Sequence, residues 1–143
     1  MKIIIDSNVF FSALIKDSIT RKIILEYDDF FLFPEFIFEE MEKHIDLLIK
    51  KSKMKRKNFD LLIELLLTKV KIVPMSKLEK YKKRAYSIVK DIDRDDVIFI
   101  ACSLAYEKSV VWSDDKKLKE QGEIKVINTK EMYNFLFQNK LKS

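Results

Sequence analysis

Five short apolar runs, separated by segments long enough for helices, are the feature that most constrains the fold of this chain. The runs are rich in β-branched or aromatic residues, so we predict strands at Lys2–Ile5, Phe30–Phe33, Val70–Val73, Ser109–Trp112 and Ile124–Ile127. The segments between them predict helices over about 8–26, 34–50, 54–68, 76–90, 95–107, 115–121 and 129–138. This alternation predicts a single α/β domain over residues 1–143, a three-layer α/β/α sandwich with a central parallel sheet of about five strands.

Scarce residue types exclude several kinds of catalytic site. The single glycine of the 143 residues, Gly122, cannot supply a GxGxxG motif or a Walker phosphate loop. One cysteine, Cys102, and one histidine, His44, cannot build a Cys/His zinc cage, a disulfide framework or a CxxC redox pair. A Ser–His–Asp triad would have to use His44, which lies in a charged stretch. The remaining catalytic arrangements are built from carboxylates and hard metal ions.

The charge balance is mildly basic, with 28 Lys and Arg residues against 23 Asp and Glu residues and a net charge of +5. This balance permits binding to a polyanion without establishing it. No apolar run is long enough to cross a membrane, and the opening run Lys2–Ile5 is too short for a signal peptide. We therefore expect a cytoplasmic protein without a membrane partner.

A predicted helical hairpin over about 35–69 carries the most basic stretch of the chain at its turn. Residues 50–57 hold six positive charges in eight positions, which describes either a solvated tip or a phosphate-contacting patch formed by Lys53, Lys55, Arg56 and Lys57. The following segment, Asn58–Val70, is apolar on more than one helical face. Its extra face is buried either within the hairpin or in a homodimer.

Two aspartates come directly after predicted strands. Asp6 ends the first run and Asp115 closely follows the fourth, with Asn8 and Ser113 beside them. Ligands bind in the crevice at the carboxyl ends of the strands in open α/β sheets, so both acids lie near that crevice. Turn or N-cap chemistry could explain either aspartate alone. Two of them in one small domain favour a functional site.

A dense acidic cluster precedes the most apolar predicted helix. Four of the six residues of Asp91–Asp96 are acidic, and such a cluster repels itself unless a cation offsets its charge. Asp95 or Asp96 could instead cap the helix.

Another acidic pair, Glu39 and Glu40, lies early in the helix after the second strand. Adjacent helical positions diverge by about 100°, so only one of the pair can point inward. Glu40 shares a face with His44, whereas Glu39 aligns with Lys43 and fits a solvated surface.

Four segments, taken in order from Lys2 to about Lys130, resemble the four motif blocks of the PIN-domain ribonucleases. They are KIIIDSNVFFSAL, PEFIFEEMEKH, DIDRDDVIFIACSLAYE and VVWSDDKKLK. In that family, an acidic cluster at the carboxyl edge of a parallel sheet binds Mg²⁺ or Mn²⁺ and hydrolyses RNA. The resemblance implies a catalytic quartet of Asp6, Glu40, Asp96 and Asp115. It also implies supporting roles for Asn8, Asp93 and Ser113. A one-residue alternative stays open at each of Glu39, Asp95 and Asp114.

The resemblance therefore implies a metal-dependent endoribonuclease. Asp6, Asp96 and Asp115 would bind Mg²⁺ or Mn²⁺. Glu40 would orient or deprotonate the attacking water, or complete a second metal position. Lysines around the cleft would follow the backbone of a single-stranded RNA. Many members of the family are toxins of toxin–antitoxin pairs and PIN-like proteins frequently dimerise, so an antitoxin protein and a second copy are candidate partners.

Two other functions stay open on the sequence. A haloacid-dehalogenase-type phosphatase also begins with a strand that ends in Asp, but it uses a second Asp where this chain has Asn8. A catalytically weak PIN-like module would bind RNA or a protein without cleaving RNA. Metal-dependent RNA cleavage, turnover of a small phosphoester, or neither would distinguish the three functions.

Overall fold

The computed structural model describes residues 1–89 and 96–138. Within them, the strands are β1 (Lys2–Ile5), β2 (Phe31–Pro34), β3 (Val70–Val73), β4 (Ser109–Trp112) and β5 (Val126–Ile127). These strands pair in the order β3-β2-β1-β4-β5, and each pairing is parallel. The predicted parallel sheet of five strands is confirmed.

Helices connect the strands and cover the sheet. They are α1 (Ser7–Ile15), α2 (Ile19–Glu26), α3 (Ile37–Ser52), α4 (Arg56–Leu67), α5 (Met75–Leu78), α6 (Lys82–Val89), α7 (Val97–Ala105), α8 (Lys116–Glu120) and α9 (Thr129–Tyr133). A 3₁₀ turn, Glu79–Tyr81, joins α5 to α6, and a π-helical stretch, Asn134–Gln138, follows α9. None of the helices in the described part of the chain has the length and apolar character needed to cross a membrane.

The sheet lies between two groups of helices. On one side α1 packs against α2 and α3, while α7 packs against α5, α6 and the three strands β1, β2 and β4. The residues of β2 are all buried, and so are nearly all those of β1 and β4. Strands that are buried on both faces need a helical layer on each side, as the predicted three-layer sandwich has.

Aromatic side chains fill the core at the centre of the sheet. Phe10 and Phe33 are fully buried and meet edge to face, with ring centroids 5.0 Å apart. The ring centroids of Phe31 and Trp112 are 5.7 Å apart. The Trp112 indole N–H donates a hydrogen bond of 3.0 Å to the Thr129 hydroxyl, so this core residue also holds the start of α9.

The ends of β2 and β5 differ from their predictions. Strand β2 includes Pro34, although proline has no N–H to donate. The Phe31 N–H donates to Lys69, just before β3, and the Glu35 N–H donates to Val73 of β3. Because backbone groups alternate along a strand, the nitrogen of Pro34 faces β1 instead, and β1 has already ended at Ile5. Strand β5 is shorter than predicted because the Gln121 side chain bonds both the N–H and the carbonyl of Ile124.

The predicted helical segment over 8–26 is divided into α1 and α2. Lys16 has an extended backbone (φ −148°, ψ 136°) and ends α1. The Arg21 guanidinium then reaches back from α2 and donates to the Ala13 carbonyl at 2.7 Å. A cation at the carboxyl end of a helix satisfies a carbonyl that the helix leaves open and complements the helix dipole.

The buried aromatic pair predicts where the fold is most sensitive to truncation. Replacing Phe33 by Ala should lower the free energy of unfolding by about 3–5 kcal/mol, because it leaves a cavity beside Phe10. Phe38 is 43% exposed on α3, so Phe38→Ala should cost less than about 1 kcal/mol. Urea denaturation of the two variants checks this difference, and equal losses would contradict the packing described.

Candidate active site

The site lies at the carboxyl ends of β1 and β4, where the strand order of the sheet changes direction. Strands β2 and β3 continue from β1 on one side, whereas β4 and β5 lie on the other. Ile5 pairs with Trp112, and the Asp6 N–H donates to the Trp112 carbonyl at 3.1 Å. Asp6 therefore leaves β1 beside Ser113, the first residue after β4. Such a switch point is where open α/β sheets bind ligands.

Asp6 is a buried acid held by two hydrogen bonds. Its side chain accepts a 2.6 Å bond from the Ser113 hydroxyl and a 3.1 Å bond from the Asn8 N–H, which makes it the N-cap of α1. Burial raises the pKa of Asp6 above 3.8, and the charges of Asp115 and Asp114 add to the rise. The bonds from Ser113 and Asn8 lower the pKa and oppose this shift without cancelling it.

Ser113 connects the two aspartates that follow the strands. Its hydroxyl donates to Asp6 and accepts a 3.1 Å bond from the Asp115 N–H. The Asp115 side chain in turn caps α8 by accepting hydrogen bonds from two backbone N–H groups, those of Lys117 at 2.9 Å and Leu118 at 3.4 Å. Ser113 is itself buried, so this link excludes water.

Asp114 has a different structural position from its neighbour. Its carboxylate accepts bonds of 2.7 Å and 2.6 Å from the backbone N–H and the hydroxyl of Thr129. These bonds tie the end of β4 to the start of α9. Asp115, rather than Asp114, lines the cleft described below.

The remaining two acids of the predicted quartet come from the starts of helices. Asp96 is buried immediately before α7, and its side chain makes no capping hydrogen bond to that helix, which the structure describes in full. Glu40 lies in the first turn of α3, where its Oε2 is 3.7 Å from Nε2 of His44. Glu39 is exposed and lines a separate surface pocket beside Phe38.

One cleft of about 420 Å³ brings these acids together. Its lining includes Asp6, Glu40, Asp96 and Asp115, together with Asn8, Phe11, Phe36, His44 and Lys51. Each of the four acids lies at or near the N-terminus of a helix, where the helix dipole favours negative charge. The geometry therefore concentrates four carboxylates and four helix N-termini at one edge of the sheet.

Other predicted residues lie elsewhere. Lys53, Lys55, Arg56 and Lys57 are exposed at or beside the turn between α3 and α4 and do not line this cleft. Arg56 bonds to Asp60 on the same helix at 3.1 Å. Asp93 and Asp95 lie outside the described residues.

By donor type, the cleft fits a hard divalent cation. Carboxylate oxygens are the ligands that Mg²⁺ and Mn²⁺ prefer, and the raised pKa of Asp6 reflects a buried acid near other negative charges. Among residues 1–89 and 96–138, no three acidic, His or Cys side chains lie close enough to enclose an ion by themselves. Mg²⁺ commonly keeps several waters and uses only one or two carboxylates, which suits this spacing.

Sequence reasoning missed the apolar wall of the cleft. Phe11 and Ile15 are four positions apart on α1, and Leu48 and Lys51 follow His44 along one face of α3. The helical spacing of these residues can be read from the sequence, but that spacing does not show which apolar stripe faces a cavity. The Ser7 hydroxyl, buried in the same lining, has no hydrogen-bond partner among the described residues.

A comparison with known families adds an independent observation. A family model described as a PIN domain matches residues 4–136. The matched region includes Asp6, Glu40, Asp96 and Asp115. No match is found among curated proteins.

The raised pKa of Asp6 predicts a pH-dependent effect of its removal. An acid whose folded pKa lies above its unfolded value stabilises the fold fully below the unfolded pKa and loses that contribution as the pH rises through the folded pKa. In EDTA, Asp6→Asn should therefore gain stability relative to the wild type as the pH rises from about 3.5 to 8, by about 1.4 kcal/mol for each unit between the two pKa values.

Urea unfolding across this pH range measures the effect. Asparagine retains the N-cap acceptor for Asn8, so capping of α1 is kept in the variant. Asp46→Asn, at an exposed position of α3, is the matched control and should show no comparable gain. An Asp6→Asn variant that is less stable than the wild type at every pH would instead indicate that the carboxylate is mainly structural.

Proposed function

Since this chain belongs to the PIN-domain family, we propose that it is a metal-dependent ribonuclease that hydrolyses phosphodiester bonds within single-stranded RNA. PIN domains are generally nucleases that use divalent metal ions. The observation that carries the proposal is the cleft, in which acids from four separate elements of the fold face one space of about 420 Å³.

Asp6, Asp96 and Asp115 are the proposed metal ligands, either directly or through bound water. A divalent cation held by them would acidify water and offset negative charge on the phosphate oxygens. The bonds from Ser113 and Asn8 restrict Asp6, so one carboxylate keeps a defined orientation. Ser113 also bonds the backbone of Asp115, which makes it and Asn8 positioning residues.

Glu40 is the proposed proton acceptor. It lies in the cleft but on α3, so it approaches from a different direction than the acids that follow β1 and β4. A carboxylate oxygen there can orient the attacking water and accept its proton. His44, one turn further along α3, lies close enough to restrict the Glu40 side chain.

Exposed lysines supply the proposed contacts with the RNA backbone. Lys53, Lys55 and Lys57 form a basic tip beyond the end of the cleft that holds Lys51. Backbone contacts of this kind carry no sequence information and weaken as the salt concentration rises.

Membership of the PIN family favours this function over a phosphatase of the haloacid-dehalogenase type. The other alternative is a module that binds RNA without cleaving it, and an activity assay distinguishes this module from a ribonuclease. The wild type should cleave RNA when Mg²⁺ or Mn²⁺ is present, and this cleavage should stop in EDTA. It should leave a small phosphoester intact. RNA binding without cleavage at any metal concentration would support the binding module.

The central test is the loss of one proposed ligand. Asp96→Asn should lower the rate of metal-dependent RNA cleavage by about 100-fold or more, because the substitution removes a ligand charge while keeping the side-chain shape. Asp46→Asn, which removes an exposed carboxylate from α3, should cleave as the wild type does.

Both variants are purified in parallel and compared by gel assay and melting temperature. Equal activity in Asp96→Asn and the wild type, measured with protein free of contaminating nuclease, would refute the site. A collapse of the melting temperature in Asp96→Asn would support a structural role for this acid.

The toxin role that the family suggests is part of the proposal and has its own test. Expression of the wild type should arrest growth of a bacterial host, while Asp96→Asn should not. Release from arrest by a co-expressed neighbouring protein would identify an antitoxin.

We further propose a homodimer formed through α4. Phe59 and Leu66 are buried inside the monomer, whereas Leu61 and Leu65, one helical turn apart, are 55% and 51% exposed. An isologous contact would bury this stripe twice. It would also bring two copies of the basic tip close together.

The dimer proposal predicts a change of mass in solution. Leu65→Glu should convert the dimer to a monomer in light scattering at high micromolar concentration, because it places like charges on both sides of the contact. Replacement of an exposed side chain should leave the melting temperature of the monomer nearly unchanged. A wild type that is monomeric under these conditions would refute the dimer proposal and would not affect the nuclease proposal.

A further inference from the structure

Half of the cleft has no part in the proposed metal chemistry. Besides the acids, its lining includes side chains from α1, α3 and α7. These residues are largely apolar: Phe11, Ile15, Phe36, Leu47, Leu48 and Phe99. A metal site alone needs no such wall.

Phe11 and His44 form an aromatic pair in the wall, and His44 lies beside Glu40. Their ring centroids are 6.2 Å apart with an interplanar angle of 68°. Phe11 is half-buried, and the His44 side chain is 49% exposed. Two planar rings therefore stay accessible in the cleft, and one of them lies directly beside a proposed catalytic carboxylate.

Lys51 closes the other end of the cleft. It is the one lysine or arginine among the described residues that line this space. Along α3, it lies about 16 Å from Glu40 at 1.5 Å per residue. The lining thus changes from acidic to apolar to basic along a single helix.

We propose that the apolar wall stacks one unpaired base of the RNA substrate against Phe11, and that Lys51 binds the backbone phosphate beyond that base. This inference rests on the ribonuclease proposal and identifies the side chains that would hold an unpaired nucleotide beside the acids. With one phosphate at the acids, the next base lies over the wall and a further phosphate reaches Lys51. Paired bases are enclosed in their own stack and cannot expose a face to Phe11.

The dimensions and charge of the cleft favour a nucleotide over a protein segment. A volume of about 420 Å³ is in the range of pockets for small ligands, which run from about 300 to 1,000 Å³. The lysine at the end of the wall complements a phosphate. An apolar peptide would use the wall but would leave Lys51 without a complementary charge.

Fluorescence anisotropy of a labelled single-stranded RNA in EDTA and low salt tests the stacking without cleavage. Phe11→Leu keeps the apolar bulk but removes the ring, so it should weaken binding about ten-fold. Phe11→Tyr should bind as the wild type does. Phe38→Leu, which removes an exposed ring outside the cleft, is the matched control and should have no effect.

An abasic position moved along the RNA adds a readout that a structural role of Phe11 would not change. In the wild type, one abasic position should weaken binding about as much as Phe11→Leu does, and it should have no further effect in that variant. If Phe11→Leu failed to fold, Phe11→Met, which also removes the ring but keeps a flexible apolar side chain, would replace it in the abasic series.

The lysine contact is measured by salt dependence. Lys51→Gln should reduce the slope of log K against log salt by about 0.7, the value for one phosphate contact with a single strand. Lys43→Gln, an exposed position of the same helix outside the cleft, should leave the slope unchanged.

Failure of this inference differs from failure of the ribonuclease proposal. If the wild type cleaves RNA but Phe11→Leu binds as tightly as the wild type, or the abasic loss is independent of Phe11, stacking is overturned. The wall would then suit a protein segment instead. A wild type that neither binds nor cleaves RNA would overturn the ribonuclease proposal itself.

Discussion

The parallel pairing of β1 with β4 is the interaction on which the site depends. Ile5 and Trp112 lie side by side at the end of this pairing, so Asp6 and Ser113 leave the sheet together. The Ser113 hydroxyl then bonds both the Asp6 carboxylate and the Asp115 backbone. A slip of one residue would turn alternate side chains to the opposite face and break this link. Hydrophobic burial of both strands holds the register in place.

The second constraint is the cost of gathering negative charge. Burial of Asp6 near Asp115 raises the pKa of Asp6, which means that the folded protein holds this carboxylate less readily in its charged form than water would. Helix N-termini and hydrogen bonds offset part of the cost. Asp115 illustrates the compromise, because the same carboxylate caps α8 and lines the cleft. Stability is given up where acids must converge, as is common in functional sites.

Much of the architecture was predictable because it rests on local patterns. Short β-branched runs between helical segments predicted the parallel sheet and its five strands, and the structure confirms them. Strand ends were less predictable, because Pro34 is accommodated by the early end of β1 and Ile124 is held by the Gln121 side chain. Both effects depend on neighbours that hydropathy does not report. The helical break at Lys16 depends on Arg21 in a similar way.

The sequence by itself determined which familiar catalytic arrangements were available: with one histidine, one cysteine and one glycine, those that remained are built from carboxylates and hard metal ions. It also indicated that Asp6 and Asp115 lie at strand ends, because strand position follows from local apolar runs. Helical spacing already favoured Glu40 over Glu39, but only the tertiary structure brought Glu40 into one cleft with Asp6. It also decided that Asp114 is bonded to Thr129 while Asp115 lines the cleft. Likewise, only the packing of α1 beside α3 created the apolar wall. Local sequence sets the propensity of each segment, but the side of a helix that meets a cavity depends on partners distant in the chain.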